Sequence, residues 1–106
     1  MPKYLLKVRY NSDGLTGVMR DGGTARRAAA NDLAKQVGGS VESFYFAFGE
    51  VDAYVVCDLP DNAAAARLAM TVSASGRVSI TTVPLLTVDD VDALVAMGKP
   101  DYTPPG

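Results

Sequence analysis

Few side chains in this chain are placed to do chemistry. Asp52 closes the run Gly49-Glu50-Val51-Asp52. Arg9 stands near the end of the first alternating apolar segment, Arg26 and Arg27 follow the paired glycines Gly22-Gly23, and Cys57 is the single cysteine. There is no histidine, so Cys-His and Ser-His arrangements, which need an imidazole as the base for the nucleophile, are excluded. One cysteine with scattered carboxylates offers no zinc or iron ligand set, and neither a metal nor any other cofactor is expected. Cys57 shares a strand face with Val55 and Leu59, where a thiol behaves as a small buried hydrophobe with little thiolate character.

The elements that must position these groups follow from periodicity. Tyr4, Leu6, Val8 and Tyr10 alternate with Lys3, Leu5, Lys7 and Arg9, which predicts a first strand with one apolar and one mostly basic face. Asn11-Ser12-Asp13-Gly14 breaks that pattern. Leu15, Val18, Met19, Ala29, Ala30, Leu33 and Val37 then recur at helical spacing, with a bend expected at Gly22-Gly23, a restart capped by Thr24 and a stop at Gly38-Gly39. A hairpin is predicted next: Ser40 to Phe48, with Phe44, Phe46 and Phe48 on one face, turns at Gly49–Asp52 into a partner running to Leu59. Asp61 caps an alanine-rich helix that ends at Ser75-Gly76, and Arg77 to Leu85 forms a fourth strand whose Pro84 suits an edge. Thr87 with Asp90 opens a short last helix.

The order β-α-β-β-α-β with short links predicts an α+β, ferredoxin-like fold, its antiparallel sheet ordered 4-1-3-2 with both helices on one face. Residues 1–98 are expected to form one domain and 99–106 an extended tail. In that arrangement the start of the third strand lies beside the end of the first, so Asp52 is expected near Arg9. A chemical reading makes the two a charged pair at the mouth of a pocket bordered by Tyr10, Asn11, Tyr45 and Tyr54. The structural reading, which is preferred, has Asp52 accepting amide hydrogen bonds in the turn and neutralising Arg9. For Gly22-Gly23-Thr24 with Arg26-Arg27, an anion site is weighed against a simple bend with solvated arginines, and the bend is preferred because no phosphate-loop spacing is matched. Phe44 and Phe46 are expected in the core, where an aromatic wall also suits a small planar ligand.

Composition narrows the function classes. Ten basic and twelve acidic residues give a net charge of −2, with no electrostatic reason to expect nucleic acid or an anionic membrane. The chain enters its first strand directly and carries one cysteine, from which a cytoplasmic protein is expected. The second face of the sheet would carry Lys3, Leu5, Lys7, Arg9, Tyr45, Tyr54, Val56, Thr81 and Val83, too apolar for plain solvent surface and too charged for a closed core. A second copy packing sheet against sheet, with the cations meeting carboxylates, is therefore the expected partner.

The run Ser43-Phe44-Tyr45-Phe46-Ala47-Phe48-Gly49-Glu50-Val51-Asp52, with Asp58-Leu59-Pro60-Asp61 and Leu85-Leu86-Thr87, resembles the GYD domain family of the dimeric α+β barrel superfamily. That family is named for Gly, an aromatic and Asp; Gly49 and Asp52 match, and Val51 stands where tyrosine is usual. The resemblance implies the ferredoxin-like fold and pairing into a dimeric barrel, within a superfamily that includes cofactor-independent monooxygenases and effector-binding domains. The expectation is a non-catalytic, homo-oligomeric module for small-molecule binding or assembly, with ligand contacts from Arg9, Tyr10, Phe44, Phe46, Asp52 and Tyr54. The rival is a cofactor-independent monooxygenase- or isomerase-like enzyme using Asp52 or a tyrosine for proton transfer, with Arg9 or Lys7 stabilising an enolate-like anion.

Overall fold

The computed structural model describes residues 1–106. Its elements are β1 (Lys3–Tyr10), α1 (Ser12–Gln36), β2 (Ser40–Phe46), β3 (Ala53–Asp58), α2 (Asn62–Ser73), β4 (Val78–Leu85) and α3 (Val88–Ala96). The strands form one antiparallel sheet ordered β2-β3-β1-β4, the predicted 4-1-3-2 read from the other edge. The architecture is ferredoxin-like α+β, and β4 with its Pro84 is an edge strand as predicted.

Alternation decides which face is core. Tyr4, Leu6, Val8 and Tyr10 of β1 and Ala53, Val55 and Cys57 of β3 are all buried, and they pack with Leu59, with Ala64, Ala65 and Leu68 of α2, and with Ala34 of α1. On β2 the register slips: Val41 pairs with Cys57, but Ser43 pairs with Val56, leaving Glu42 as the extra residue of a bulge. The insertion changes the parity of the strand. Val41 and Phe44, three residues apart, therefore both pack against the core.

The hairpin differs from the sequence-based expectation at its tip. β2 ends at Phe46, and the connection is the six residues Ala47 to Asp52, closed by the Ala47 amide donating to the Asp52 carbonyl at 2.8 Å. Phe48 is fully exposed and does not join the Phe44–Phe46 row, because the ladder stops at the Phe46–Ala53 pair and leaves it no sheet to face.

Capping follows the sequence closely. The side chain of Asn11 accepts from the Gly14 amide at the start of α1, and Asp61 accepts from the Ala64 amide at the start of α2. At α3, Thr87 and Asp90 bond reciprocally as a capping box. None of the residues of α3 is buried, and Leu94 and Val95 face outward. No helix is long and apolar enough to cross a membrane.

Candidate functional site

The site begins at the kink in α1. Gly22 adopts φ 84°, ψ 170°, a backbone conformation open to glycine and costly for other residues, and it breaks the helix into two runs. Gly23 serves a different purpose: a Cβ there would lie 3.0 Å from the Phe46 ring, so the missing side chain lets Phe46 pack against the bend. Phe46 in turn meets Phe44 edge to face, with ring centroids 5.1 Å apart and an interplanar angle of 61°. Such a pair contributes about 0.5–1.5 kcal/mol beyond the area it buries.

The second run of α1 then crosses the sheet at a distance that leaves a cavity of about 130 Å³ between helices and strands. Its floor is Leu6, Val8 and Tyr10 of β1 with Val55 and Cys57 of β3, its wall Phe44 and Val41 of β2, and its roof Leu33 and Arg26 of α1. Arg26 is the only charged residue on this lining. Its Nε is buried and is the one buried side-chain nitrogen or oxygen without a hydrogen-bond partner in the chain. Neither Arg26 nor Arg27 takes part in an ion pair. Arg26 also borders a surface cleft with Arg20, Asp21 and Arg77, so it stands between that cleft and the apolar interior. In the cleft, Arg20 grips Asp21 with two hydrogen bonds of 2.9 Å; these bonds, aided by the charge of Arg26, hold the Asp21 carboxyl below the usual carboxylate range.

The expectation that both arginines are solvated therefore fails for Arg26, while Arg27 is exposed. The missed signal was spacing. Arg26 precedes Ala30 by four residues and Leu33 by seven, which places it on the apolar stripe of the helix. Cys57, also on the lining, has its thiol pushed up to about 11, first by burial, so the neutral thiol predominates at neutral pH.

Of the six residues expected to contact a ligand, Tyr10 and Phe44 line the cavity. Phe46 borders a shallow recess with Gly23, Thr24 and Arg27. Tyr54 lies on the opposite face of the sheet, directly across from Tyr45. Asp52 does not pair with Arg9. Its carboxylate accepts from the Tyr10 amide at 2.8 Å, and its own amide donates to the Val8 carbonyl at 2.8 Å. The Arg9 guanidinium donates instead to the Glu50 carbonyl, and Lys7 pairs with the Glu50 carboxylate at 3.3 Å. The cause is direction: the amide of Tyr10 points sideways from the strand toward the turn, whereas the Arg9 side chain stands on the open sheet face beneath Glu50.

The profile of the GYD domain matches residues 4–95. The chain belongs to the GYD domain family. Comparisons with curated proteins and with solved structures gave no match. In this GYD domain protein the naming aspartate, Asp52, is the residue that fastens the hairpin turn to β1, and Val51 at the position usual for tyrosine is buried. No three His, Cys, Asp or Glu side chains come together in a geometry that would hold a metal.

The open face of the sheet is also more neutral than its composition suggests. Lys3 pairs with Glu42 at 2.9 Å and with Asp58 at 2.8 Å, and its ammonium is held above its ordinary pKa by those two hydrogen bonds, the one to Asp58 being the larger cause. Of the cations expected to meet carboxylates on a second copy, Lys3 and Lys7 thus find them on their own chain, while Arg9 has only the Glu50 carbonyl. Apart from Arg9, what remains on that face is largely aromatic and aliphatic: Tyr45 is 70% exposed, beside Tyr54, Val56 and Val83.

Proposed function

We propose that this GYD domain protein is a non-catalytic small-molecule-binding module that works as a homo-oligomer. The observation that carries this reading is the cavity between sheet and helices, apolar except for Arg26 and without Asp52 in its lining. A proton-transfer enzyme needs a base or acid within reach of a bound substrate. Asp52 is spent on the Tyr10 amide, and Cys57 holds its proton, which disfavours the monooxygenase- or isomerase-like alternative.

Self-association is supported by the open sheet face. Burying charge is expensive when the charge lacks a partner, and here Lys3 and Lys7 carry theirs with them. A second copy can cover Tyr45, Tyr54, Val56 and Val83 with Arg9, held on the Glu50 carbonyl, as the cation of that face without a carboxylate of its own. Two measurements test the proposal. A thermal-shift screen over small planar ligands should raise the melting temperature for some of them, and sedimentation at micromolar concentration should give a dimer or larger species. A monomer at that concentration removes the oligomer; a screen without any shift removes the binding module.

A further inference from the structure

We propose that the cavity takes a small apolar monocarboxylic acid, its ring or short chain among the apolar residues and its carboxylate on the guanidinium of Arg26; this rests on the small-molecule reading above. Three observations converge. The first is size. A dry apolar cavity of about 150 Å³ accommodates benzene, and this one measures about 130 Å³, which is room for a single ring or a short branched chain. The second is the lining: Val8, Leu33, Phe44 and Val55 offer nothing to a polyol, a sugar or a nucleotide.

The third is Arg26 itself. Its Nε is sealed from solvent without an acceptor, which a protein interior rarely tolerates unless a partner arrives. It also lies in the first turn after the Gly22 break, at the positive end of a helical run, where an unpaired cation is disfavoured and an anion is welcome. Asp21, the acid whose pKa registers the charge of Arg26, is already gripped by Arg20. A carboxylate is the anion that fits. It accepts two parallel hydrogen bonds from a guanidinium edge and brings one negative charge to one positive charge. A phosphate monoester would carry a second charge into a cavity that has no second cation.

The test uses calorimetric titration of the intact protein with benzoate and with benzyl alcohol, near-isosteres that differ in charge, on wild type, Arg26→Lys and Arg26→Met. Chemical shifts of the Leu33 and Val55 methyl groups locate the binding. Wild type is expected to prefer benzoate by about tenfold or more, with those methyl groups shifting. Arg26→Met should bind both ligands alike, and Arg26→Lys should keep part of the preference. Equal binding of the two ligands to wild type overturns the carboxylate inference and leaves the small-molecule reading standing. Binding of neither ligand, nor of any in the thermal-shift screen, overturns both. A preference that survives in Arg26→Met also overturns the inference. If Arg26→Met does not fold, the wild-type comparison and Arg26→Lys decide the matter alone.

Discussion

The carboxylate of Asp52 accepts the backbone amide of Tyr10 at 2.8 Å, forty-two residues away along the chain. With the Asp52 amide bonded to the Val8 carbonyl, it extends the β1–β3 ladder beyond the last residue pair and into the turn. An aspartate that lends a family its name invites a catalytic role; here its geometry makes it a fastener.

Asp52→Ala should therefore destabilise the fold by about 1–3 kcal/mol, the cost of leaving a part-buried amide without its acceptor. Asp52→Asn keeps an oxygen in place and should cost less. Urea denaturation measures both. Neither change should alter the affinity of a ligand in the cavity, since Asp52 takes no part in its lining; a loss of binding without loss of stability would return Asp52 to the site.

Two glycines should respond unequally to the same substitution. At Gly39 a Cβ would lie 2.2 Å from the Asp58 carbonyl oxygen and 2.7 Å from Leu59 Cδ2, so Gly39→Ala must push backbone apart and should cost about 1–3 kcal/mol or more. Gly49, the naming glycine, has nothing within 4 Å of such a Cβ and no positive φ. Gly49→Ala should change stability by less than about 0.5 kcal/mol. If it disrupts the oligomer instead, measured by sedimentation, the turn itself meets the second copy.

The parts of the fold that were legible in the sequence are those set by local rules. Alternation in β1 marked its bounds, and Asp61 and Thr87 with Asp90 marked their helix starts, because each signal involves neighbours within a few residues. The paired glycines likewise announced the break in α1. The site was less legible because it depends on contacts between distant elements. The bulge at Glu42 that turns Val41 inward, the early end of β2 that strands Phe48, and the reach of Arg9 to Glu50 rather than Asp52 are all set across strands. Arg26 lay in plain view on the apolar stripe, but charge made it look like surface.

The capping box of α3 makes a pH-dependent prediction. Asp90 is held below its ordinary 3.8, first by the Thr87 amide and then by the Thr87 hydroxyl. Because the folded form binds its proton less readily than the unfolded form, the contribution of Asp90 is full above 3.8 and is lost as pH falls through the lowered value. Amide chemical shifts of Val88 to Ala96 should report loss of helix in acid at this end of the chain. In Asp90→Asn that transition should be absent or much reduced, and Thr87→Ala should fray the same turn at neutral pH.

On the open sheet face, Tyr54→Lys places a second cation directly across from Lys7, whose carboxylate partner Glu50 is already taken, without touching the core. In the isolated chain this change should be tolerated, with an unaltered far-ultraviolet dichroism spectrum. In an oligomer built sheet against sheet it buries a charge without a matched partner and should shift the species toward monomer. An unchanged oligomer would mean that copies associate through another surface, for which exposed α3 is the next to examine.

Arg26 makes the last prediction, and its sign is unusual for a residue at the core's edge. Large side chains there normally stabilise, so truncation normally costs. Arg26 instead holds a buried Nε with no acceptor beside an apolar cavity, a donor whose desolvation nothing in the chain offsets. Arg26→Met keeps most of the length and apolar bulk of the side chain while removing that donor. In the absence of ligand it should raise the unfolding free energy by about 1 kcal/mol, measured by urea denaturation at neutral pH. A group that weakens the fold and improves when deleted is kept for what it binds, and stability gained at the expense of binding is the expected trade at such a site. A loss of 2 kcal/mol or more, about what truncation of a well-packed core residue costs, would make Arg26 a structural residue and remove its claim on a ligand.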